Sequence, residues 1–430
     1  MKTILLFFLR GLSKKIIRKY HPDVVGITGS VGKTSSKEAI YLVLASRFSV
    51  RRNYKNYNNE IGLPLAVIGI EQSPGRSLLG WLKIFGKAIG LLLKRDKNYP
   101  EILVLEMGAD KPGDIKYFTD IAPCKVVVLT FISHAHTEFF KTLKKIAQEK
   151  RVIISHLPED GFAILNADCP LVLENRDKTK AEVITYGFEN TAQLKASDVN
   201  MITDEKTGRL LGLNFKVSYK GNIVPVFLPG AITNTLISSA LSGMAVGIAL
   251  GVNLVEAAQA LRNLSPLAGH MRLIDGIKNT MIIDDTYNSS PEAVKAALQT
   301  LSLIAVKTGS ERFAVLGDML ELGAETENTH REIGLRVAEL GINYLITVGE
   351  ASKHTAHAAI EAGMDEHRVA MFADSVAAGR FLQDKLEDGD VVLVKGSQGV
   401  RMEKIVKEVM AEPLQAVELL VRQSGEWVKK

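Results

Sequence analysis

The chain has 430 residues, 46% of them apolar and 23% charged, with a formal net charge of +5. Those fractions belong to a soluble globular protein, the length suggests two or three domains, and so mild a charge gives no argument for nucleic acid as a partner. Two cysteines, Cys124 and Cys169, lack metal-ligand spacing and read as buried thiols of a reducing compartment, which places the protein in the cytoplasm.

The first predicted element is a short apolar run, Ile4 to Leu9, followed by Arg10, Lys14, Lys15, Arg18 and Lys19. It falls short of the roughly 18–20 apolar residues of a spanning helix, and no small-residue cleavage site follows it. Two readings of residues 1–22 stand: a basic amphipathic helix on the inner face of a membrane, or a helix packed on the body of the protein. A strand over Val24–Thr28 comes next, then a glycine turn, then a helix from Lys37 to Ala45. Leu78 to Leu93 reads as a second apolar helix with lysines four apart, weakened by Gly80, Gly86 and Gly90. It too fits either a core or interface helix or peripheral membrane contact.

Strands at Ile102–Glu106, Val126–Thr130 and Phe162–Asn166, with a helix over Lys144–Leu157, continue the alternation of a mostly parallel sheet with helices on both faces. Residues 183–228 break it: Val183–Tyr186, Leu210–Tyr219 and Ile223–Phe227 read as antiparallel strands, with Lys220-Gly221-Asn222 a turn. Long helices follow at Ile232–Leu250 and Leu254–Leu261. After Ser265-Pro266 a second alternation begins, with strands at Met281–Asp284, Arg312–Leu316, Tyr344–Val348 and Val391–Val394. The expected fold class is therefore α/β. A central doubly wound, mostly parallel sheet with a small antiparallel subsheet occupies 23–265, and a Rossmann-like domain occupies 266–430.

Residues 26–35 read Gly-Ile-Thr-Gly-Ser-Val-Gly-Lys-Thr-Ser. Strand, glycine turn and helix in that order make a phosphate cradle, because backbone N–H groups of the turn and the helix start point at an anion. Gly29, Ser30, Gly32, Lys33, Thr34 and Ser35 are the cradle candidates, with Lys33 on the β/γ-phosphates and the Thr34 hydroxyl on Mg²⁺. The spacing is a shorter form of the usual loop, since Ile27 stands where the first glycine is expected. Glu106 ends an apolar strand beside this loop and is placed to hold Mg²⁺ directly or through water. A zinc reading of His134, His136 and Glu138 fails for want of a cysteine or third histidine close by.

Five further segments, NYNNEIGLPL, EMGADKPGDI, DDTYNSSP, VLGDMLELG and KGSQGVRME, follow the loop in order from about residue 56 to about 405. With the loop they resemble the Mur ligase family, the ATP-dependent amide-forming enzymes of peptidoglycan precursor synthesis, and within it the branch that adds D-Ala-D-Ala to a muramoyl tripeptide. The resemblance implies that ATP phosphorylates a peptide carboxylate and that an amine then attacks the acyl phosphate, chemistry that asks mainly for positioning and charge neutralisation. It implies ATP and two Mg²⁺ ions, a muropeptide-type carboxylate donor, a D-Ala-D-Ala-like amine, and a monomer.

By resemblance, Lys33, Glu106, His136 and Lys150 are catalytic. Thr34, Glu106, His136 and Lys150 hold metal, Lys150 as a carbamate formed with CO₂; a solvated helix lysine is the alternative. Asp285, Tyr287 and Asn288 contact the nucleotide, against the alternative of a capped strand-to-helix turn, and Arg272 matches an arginine near the phosphates. Asn58, Asn59, Asp318, Glu321, Lys395, Ser397 and Arg401 fall to the substrates; a plain Asx-turn competes for Asn58 and Asn59.

The pattern departs from the family in places. Only about 25 residues precede the loop, too few to bury a core, so the N-terminal domain that grips UDP is expected to be missing and the donor's carrier to be UDP-linked or lipid-linked. Gly269-His270 replaces a Gly-Arg pair, and Lys395-Gly396-Ser397-Gln398 replaces Lys-Gly-Ser-Arg. Two other functions compete: a related ligase on another carboxylate, as in folylpolyglutamate or cyanophycin synthetases, and a non-catalytic ATP-binding module at a membrane.

Overall fold

The structure is a computed structural model and describes residues 2–54, 57–75, 77–133, 142–205, 208–423 and 427. It divides into two compact units. One comprises Met1–Asn200, Leu213–Pro229 and Asn234–Leu264, and the other Met201–Gly212, Gly230–Thr233 and Ser265–Lys430.

The first unit opens with α1 (Lys2–Tyr20), β1 (Asp23–Thr28) and α2 (Lys33–Ala45). It continues through β2 (Val50–Arg52), α3 (Gly62–Ile68), α4 (Leu78–Leu93), β3 (Ile102–Glu106), α5 (Asp114–Ile121), β4 (Val126–Leu129), α6 (Leu143–Ser155) and β5 (Phe162–Asn166). Strands β6 (Glu182–Gly187), β7 (Leu194–Thr203), β8 (Leu210–Tyr219) and β9 (Asn222–Pro229) precede α7 (Asn234–Ala249) and α8 (Leu254–Ala260). Among the described residues the nine strands form one sheet in the order β2-β3-β1-β4-β5-β6-β7-β8-β9. β1 lies between β3 and β4, parallel to both, and all three are almost wholly buried apolar runs, as a parallel sheet covered on both faces requires. Helix α7 meets α2 through small residues: a Cβ at Gly243 would lie 2.9 Å from the Ala39 carbonyl carbon, and one at Gly247 would lie 2.6 Å from Val43 Cγ1.

Val183–Tyr186, expected among the antiparallel strands, lies in β6 and pairs parallel to both β5 and β7. The chain between β5 and β6 is long enough for a crossover and passes through short helical turns at Pro170–Leu173 and Arg176–Lys178, so it returns in the parallel sense. The expected turn after Tyr219 is present. Lys220 and Gly221 have φ values of 47° and 83°, the left-handed pair that lets a two-residue link join β8 to β9 as a hairpin.

The second unit carries β10 (Arg272–Asp275), β11 (Met281–Asp285), α9 (Pro291–Leu303), β12 (Arg312–Gly317) and α10 (Thr326–Glu339). Then come β13 (Tyr344–Val348), α11 (Lys353–Glu361), β14 (Val369–Phe372), α12 (Ser375–Lys385), β15 (Val391–Lys395) and α13 (Glu403–Val409). Its sheet runs β10-β11-β15-β12-β13-β14 and is parallel except for the β10–β11 pair. The mixed α/β architecture with a large, mostly parallel sheet and a second sheet is the one the sequence implies. Of the strands that sequence alone does not suggest, β2, β10 and β14 are short edge strands whose half-buried residues give no continuous apolar run, and β7 is an inner strand whose residues, LKASDVNMIT, also form no such run.

Candidate active site

Strand β1 delivers the chain into the loop at residues 29–32. Several bonds tie that loop to the segment after β4. Ser30 N donates to Phe131 O (2.6 Å), Ser30 Oγ to Ser133 O (3.0 Å), and Thr130 Oγ1 to Val31 O (2.7 Å). Gly29 sits against Thr130 so closely that a Cβ there would overlap the Thr130 hydroxyl. Gly32, at φ 81°, is left-handed and provides no side-chain cap to α2, so the first-turn N–H groups of α2, around Thr34 and Ser35, face outward as an anion cradle.

Two lysines converge on this loop. Lys33 Nζ donates to Gly29 O (2.9 Å) and Ser30 O (3.2 Å), and Lys150 Nζ, from α6, donates to the same Gly29 O (2.8 Å). Helix α6 is held in place by Thr142, which caps it, and by Glu149, whose carboxylate accepts from Gly113 N and Ile115 N at the start of α5 (3.0 Å each). Lys150 is only 4% exposed, so the solvated-lysine alternative is wrong; the inward face of α6 carries it with Ile146, Ala147, Ile153 and Ile154. Burial first and the neighbouring Lys33 second draw its amine down to about 7, with Glu149 and Asp110 pulling the other way. Burial likewise lowers Lys33, against the opposing pull of Glu106 and Asp110.

Glu106, 1% exposed at the end of β3, sits in a shell of donors. Thr34 Oγ1 donates to its Oε2 (3.0 Å) and Asn58 Nδ2 to its Oε1 (2.9 Å), while Asn53 brackets its backbone through Glu106 N (2.9 Å) and Glu106 O (3.1 Å). Lys37, fully buried one turn into α2, places Nζ 3.6 Å from Glu106 Oε2 and 3.6 Å from Glu38 Oε1. A hydroxyl and a carboxylate oxygen this close are the hard oxygen donors Mg²⁺ takes. No group of three or more His, Cys, Asp or Glu side chains with metal-site geometry occurs among the described residues. His134, His136 and Glu138 lie outside the described residues. Asn59 parts company with Asn58: its Oδ1 accepts from Ile61 N (3.2 Å) and Gly62 N (2.9 Å), the Asx-turn arrangement at the start of α3.

In the second unit the expected residues gather at strand ends. Lys395 Nζ donates to Asp285 Oδ2 (2.7 Å) and to Asn288 O (3.0 Å), joining the ends of β15 and β11. Asp284, beside it, is fully buried and accepts from Gly269 N (2.8 Å) and Thr286 Oγ1 (2.6 Å); burial pushes its carboxyl up to about 6. Tyr287 stacks on His270 with ring centroids 4.5 Å apart. Arg272, across from Asp284 in the β10–β11 pair, is lowered by burial and raised again by that carboxylate.

Asp318 and Ser397 are engaged in turns. Asp318 Oδ1 accepts from Ser352 N (2.7 Å), and Ser397 Oγ accepts from Leu320 N (2.9 Å). Glu321 adopts a left-handed backbone, φ 66°. Arg401 Nε donates to Glu403 Oε1 (2.5 Å), and Arg401 lies over the Trp427 ring; Arg422 donates to the other oxygen of Glu403 (2.9 Å). Sequence reasoning missed Lys37, Asn53 and Arg422. Lys37 was findable, because it falls four residues after Lys33 and three after Thr34, on one face of a helix whose start was already recognised.

Residues 87–241 match the Mur ligase middle domain family, and residues 269–398 match the Mur ligase glutamate ligase domain. The chain is 29% identical over 406 residues to the UDP-N-acetylmuramoyl-tripeptide–D-alanyl-D-alanine ligase of Bacillus subtilis, covering 94% of this chain and 80% of that one. It is 30% identical over 406 residues to the ligase of the same name from Mycobacterium tuberculosis H37Rv, covering 90% and 73%. Among solved structures it is similar to the MurF ligase of Thermotoga maritima in complex with ADP, at 26% identity and a TM-score of 0.71 over 94% of this chain and 83% of that one.

Proposed function

The chain belongs to the Mur ligase family, and on that footing we propose that it is an ATP-dependent peptide ligase joining D-Ala-D-Ala to the tripeptide of a muramoyl precursor. The observation that carries the reading is the meeting of two buried amines, Lys33 and Lys150, on one carbonyl of a phosphate-type loop, beside the Thr34–Glu106 oxygen pair. Lys33 and the outward N–H groups at the start of α2 favour an anion of several charges at that loop, and a triphosphate supplies it.

The reaction proceeds in two displacements. A carboxylate oxygen of the donor peptide attacks the γ-phosphorus, the bond to the β-phosphate oxygen breaks, and ADP leaves. The amine nitrogen of D-Ala-D-Ala then attacks the acyl carbon, phosphate leaves, and the amine gives up a proton. Lys33 and the α2 N–H groups neutralise the transferring phosphoryl. Thr34 and Glu106 would hold Mg²⁺, which offsets phosphate charge; Asn58, Asn53 and Lys37 hold Glu106 in place for it. Lys150, with an amine drawn to about 7, offers the neutral nitrogen that CO₂ requires, and as a carbamate it would become an anionic oxygen ligand. A carbamate signal from labelled bicarbonate that is absent in Lys150→Met tests that assignment. By this reading Arg272, Asp285, Tyr287 and Asn288 serve the nucleotide, and Asp318, Glu321, Lys395, Ser397 and Arg401 the incoming dipeptide, in a cytoplasmic enzyme acting as a monomer.

The deciding experiment measures phosphate release from ATP with UDP-linked and with lipid-linked muramoyl tripeptide, each with and without D-Ala-D-Ala. Release that requires both donor and dipeptide is expected. Release indifferent to the dipeptide, or none with either donor, overturns the proposal.

A further inference from the structure

Helices α1 and α4 lie side by side in the first unit. Phe8 and Phe85 meet edge to face at 6.5 Å, and Tyr20 Oη and Lys19 Nζ both donate to Leu91 O (3.0 and 2.9 Å). Each buries one face: Leu9, Ser13, Ile16 and Ile17 on α1, and Ile84, Ala88 and Leu91 on α4. The opposite faces are what a globular protein normally makes polar, and here large apolar side chains share them with lysines and arginines. On α1, residues 4, 7, 8, 11, 15 and 18 are exposed at helical spacing; the first three are Ile4, Phe7 (73% exposed) and Phe8, and the last two are Lys15 and Arg18. On α4 the exposed face carries Leu79, Leu82 (66%) and Leu93 (83%). Large apolar side chains scattered singly need no explanation, but a set of them on two helices that meet at Phe8 and Phe85 does.

Charge identifies the occupant. The two helices hold eight lysines and arginines and no acidic residue, and Lys94, Arg95 and Lys97 follow α4 directly. Of the acidic groups nearby, Asp120 is engaged by Arg10 (3.1 Å), and Asp96 stands among the basic residues that follow α4. An apolar field rimmed by one sign of charge matches the acyl boundary and headgroups of an anionic bilayer, into which such helices settle lengthwise. A second copy of the chain would bring basic rim against basic rim across a two-fold axis. No helix among the described residues is long and apolar enough to cross a membrane, so the contact is with the surface.

We propose that the paired outer faces of α1 and α4 dock the protein on an anionic lipid surface. The inference stands apart from the ligase reading, because it uses none of the residues at the phosphate loop.

The test is flotation of the full chain with vesicles of phosphatidylcholine alone or with phosphatidylglycerol added. Binding is expected only with the anionic lipid, weakening as salt is raised. Phe7→Ser combined with Leu82→Ser, both on exposed faces, is expected to lower vesicle affinity about ten-fold or more without altering the thermal melt. Lys15→Glu combined with Lys83→Glu should do the same through charge alone. Failure to float with anionic vesicles, full affinity in both double variants, or a dimer in solution that Phe7→Ser with Leu82→Ser dissolves would each overturn the proposal.

Discussion

At the end of β1 the first unit packs Lys33 and Lys150 against the same carbonyl oxygen, whereas at the end of β15 the second unit sets Lys395 directly on the Asp285 carboxylate. The same contrast repeats nearby. Glu106 shares its two oxygens among a hydroxyl, an amide and a lysine 3.6 Å away, while Glu403 is held by two arginines at 2.5 and 2.9 Å. An amine pressed against a second lysine in a buried site gives up its proton more readily, and an incoming polyanion would relieve the cost of charging it. Cation on anion is already neutral and gains little from a charged ligand. The loop end of the first unit is suited to a polyanion, while the strand ends of the second unit carry charges already fixed in place by ion pairs.

The contrast breaks first at Lys33. Lys33→Ala is expected to lower donor- and dipeptide-dependent phosphate release by about a thousand-fold or more, the scale of a charge-neutralising group at a transferring phosphoryl. The fold is expected to survive, because the variant also relieves the crowding with Lys150. Comparable turnover in the variant would remove the first unit from phosphoryl chemistry. In the second unit Lys395→Ala should act on stability as well as on use of the dipeptide. It leaves a buried carboxylate without its partner, at about 3–5 kcal/mol, read from the urea midpoint of the transition that the second unit contributes. A variant as stable as wild type would show that the Lys395–Asp285 pair does not hold these strand ends together.

Lys150 sharpens the comparison through pH. Its folded-state value, near 7, lies below the ordinary lysine value of 10.5, so above pH 7 the unfolded chain binds more protons than the folded one. Stability therefore rises as pH climbs from 7 toward 10.5, and the penalty for the buried charge is fully present below 7. Relative to Lys150→Met, wild type should gain about 2 kcal/mol between pH 7 and pH 9. Parallel pH profiles for the two proteins would show that burial does not depress this amine.

Much of this was legible in the sequence, and the limits have physical causes. The loop at 29–35 and the strand ending in Glu106 announce themselves because glycines and apolar runs are local signals. The parallel pairing of β6 was hidden, since strand direction depends on how the preceding crossover packs and not on the strand's own residues. Burial of Lys150 was hidden for a similar reason: Lys144, Lys145 and Lys150 look alike along α6 until the sheet chooses which face turns inward. Edge strands such as Val369–Phe372 carry too few buried residues to leave a pattern.

The adjacent asparagines give the smallest and most discriminating test. Both stand in one segment, and sequence alone offers the same two roles to each. The structure sends the Asn58 amide to the Glu106 carboxylate and turns the Asn59 oxygen back onto Ile61 N and Gly62 N. Asn59→Ala removes an acceptor from the first turn of α3 and should lower stability by about 1 kcal/mol, the usual loss for such a cap. Asn58→Ala removes a donor from Glu106, leaving that carboxylate less firmly oriented, and should raise the Mg²⁺ concentration needed for half-maximal turnover by roughly 10-fold or more. Melting curves and Mg²⁺ titrations on both variants separate the two. If Asn59→Ala shifted the Mg²⁺ requirement as far as Asn58→Ala, the division of labour between these neighbours would fail, and with it the assignment of Glu106 as the carboxylate the loop organises around.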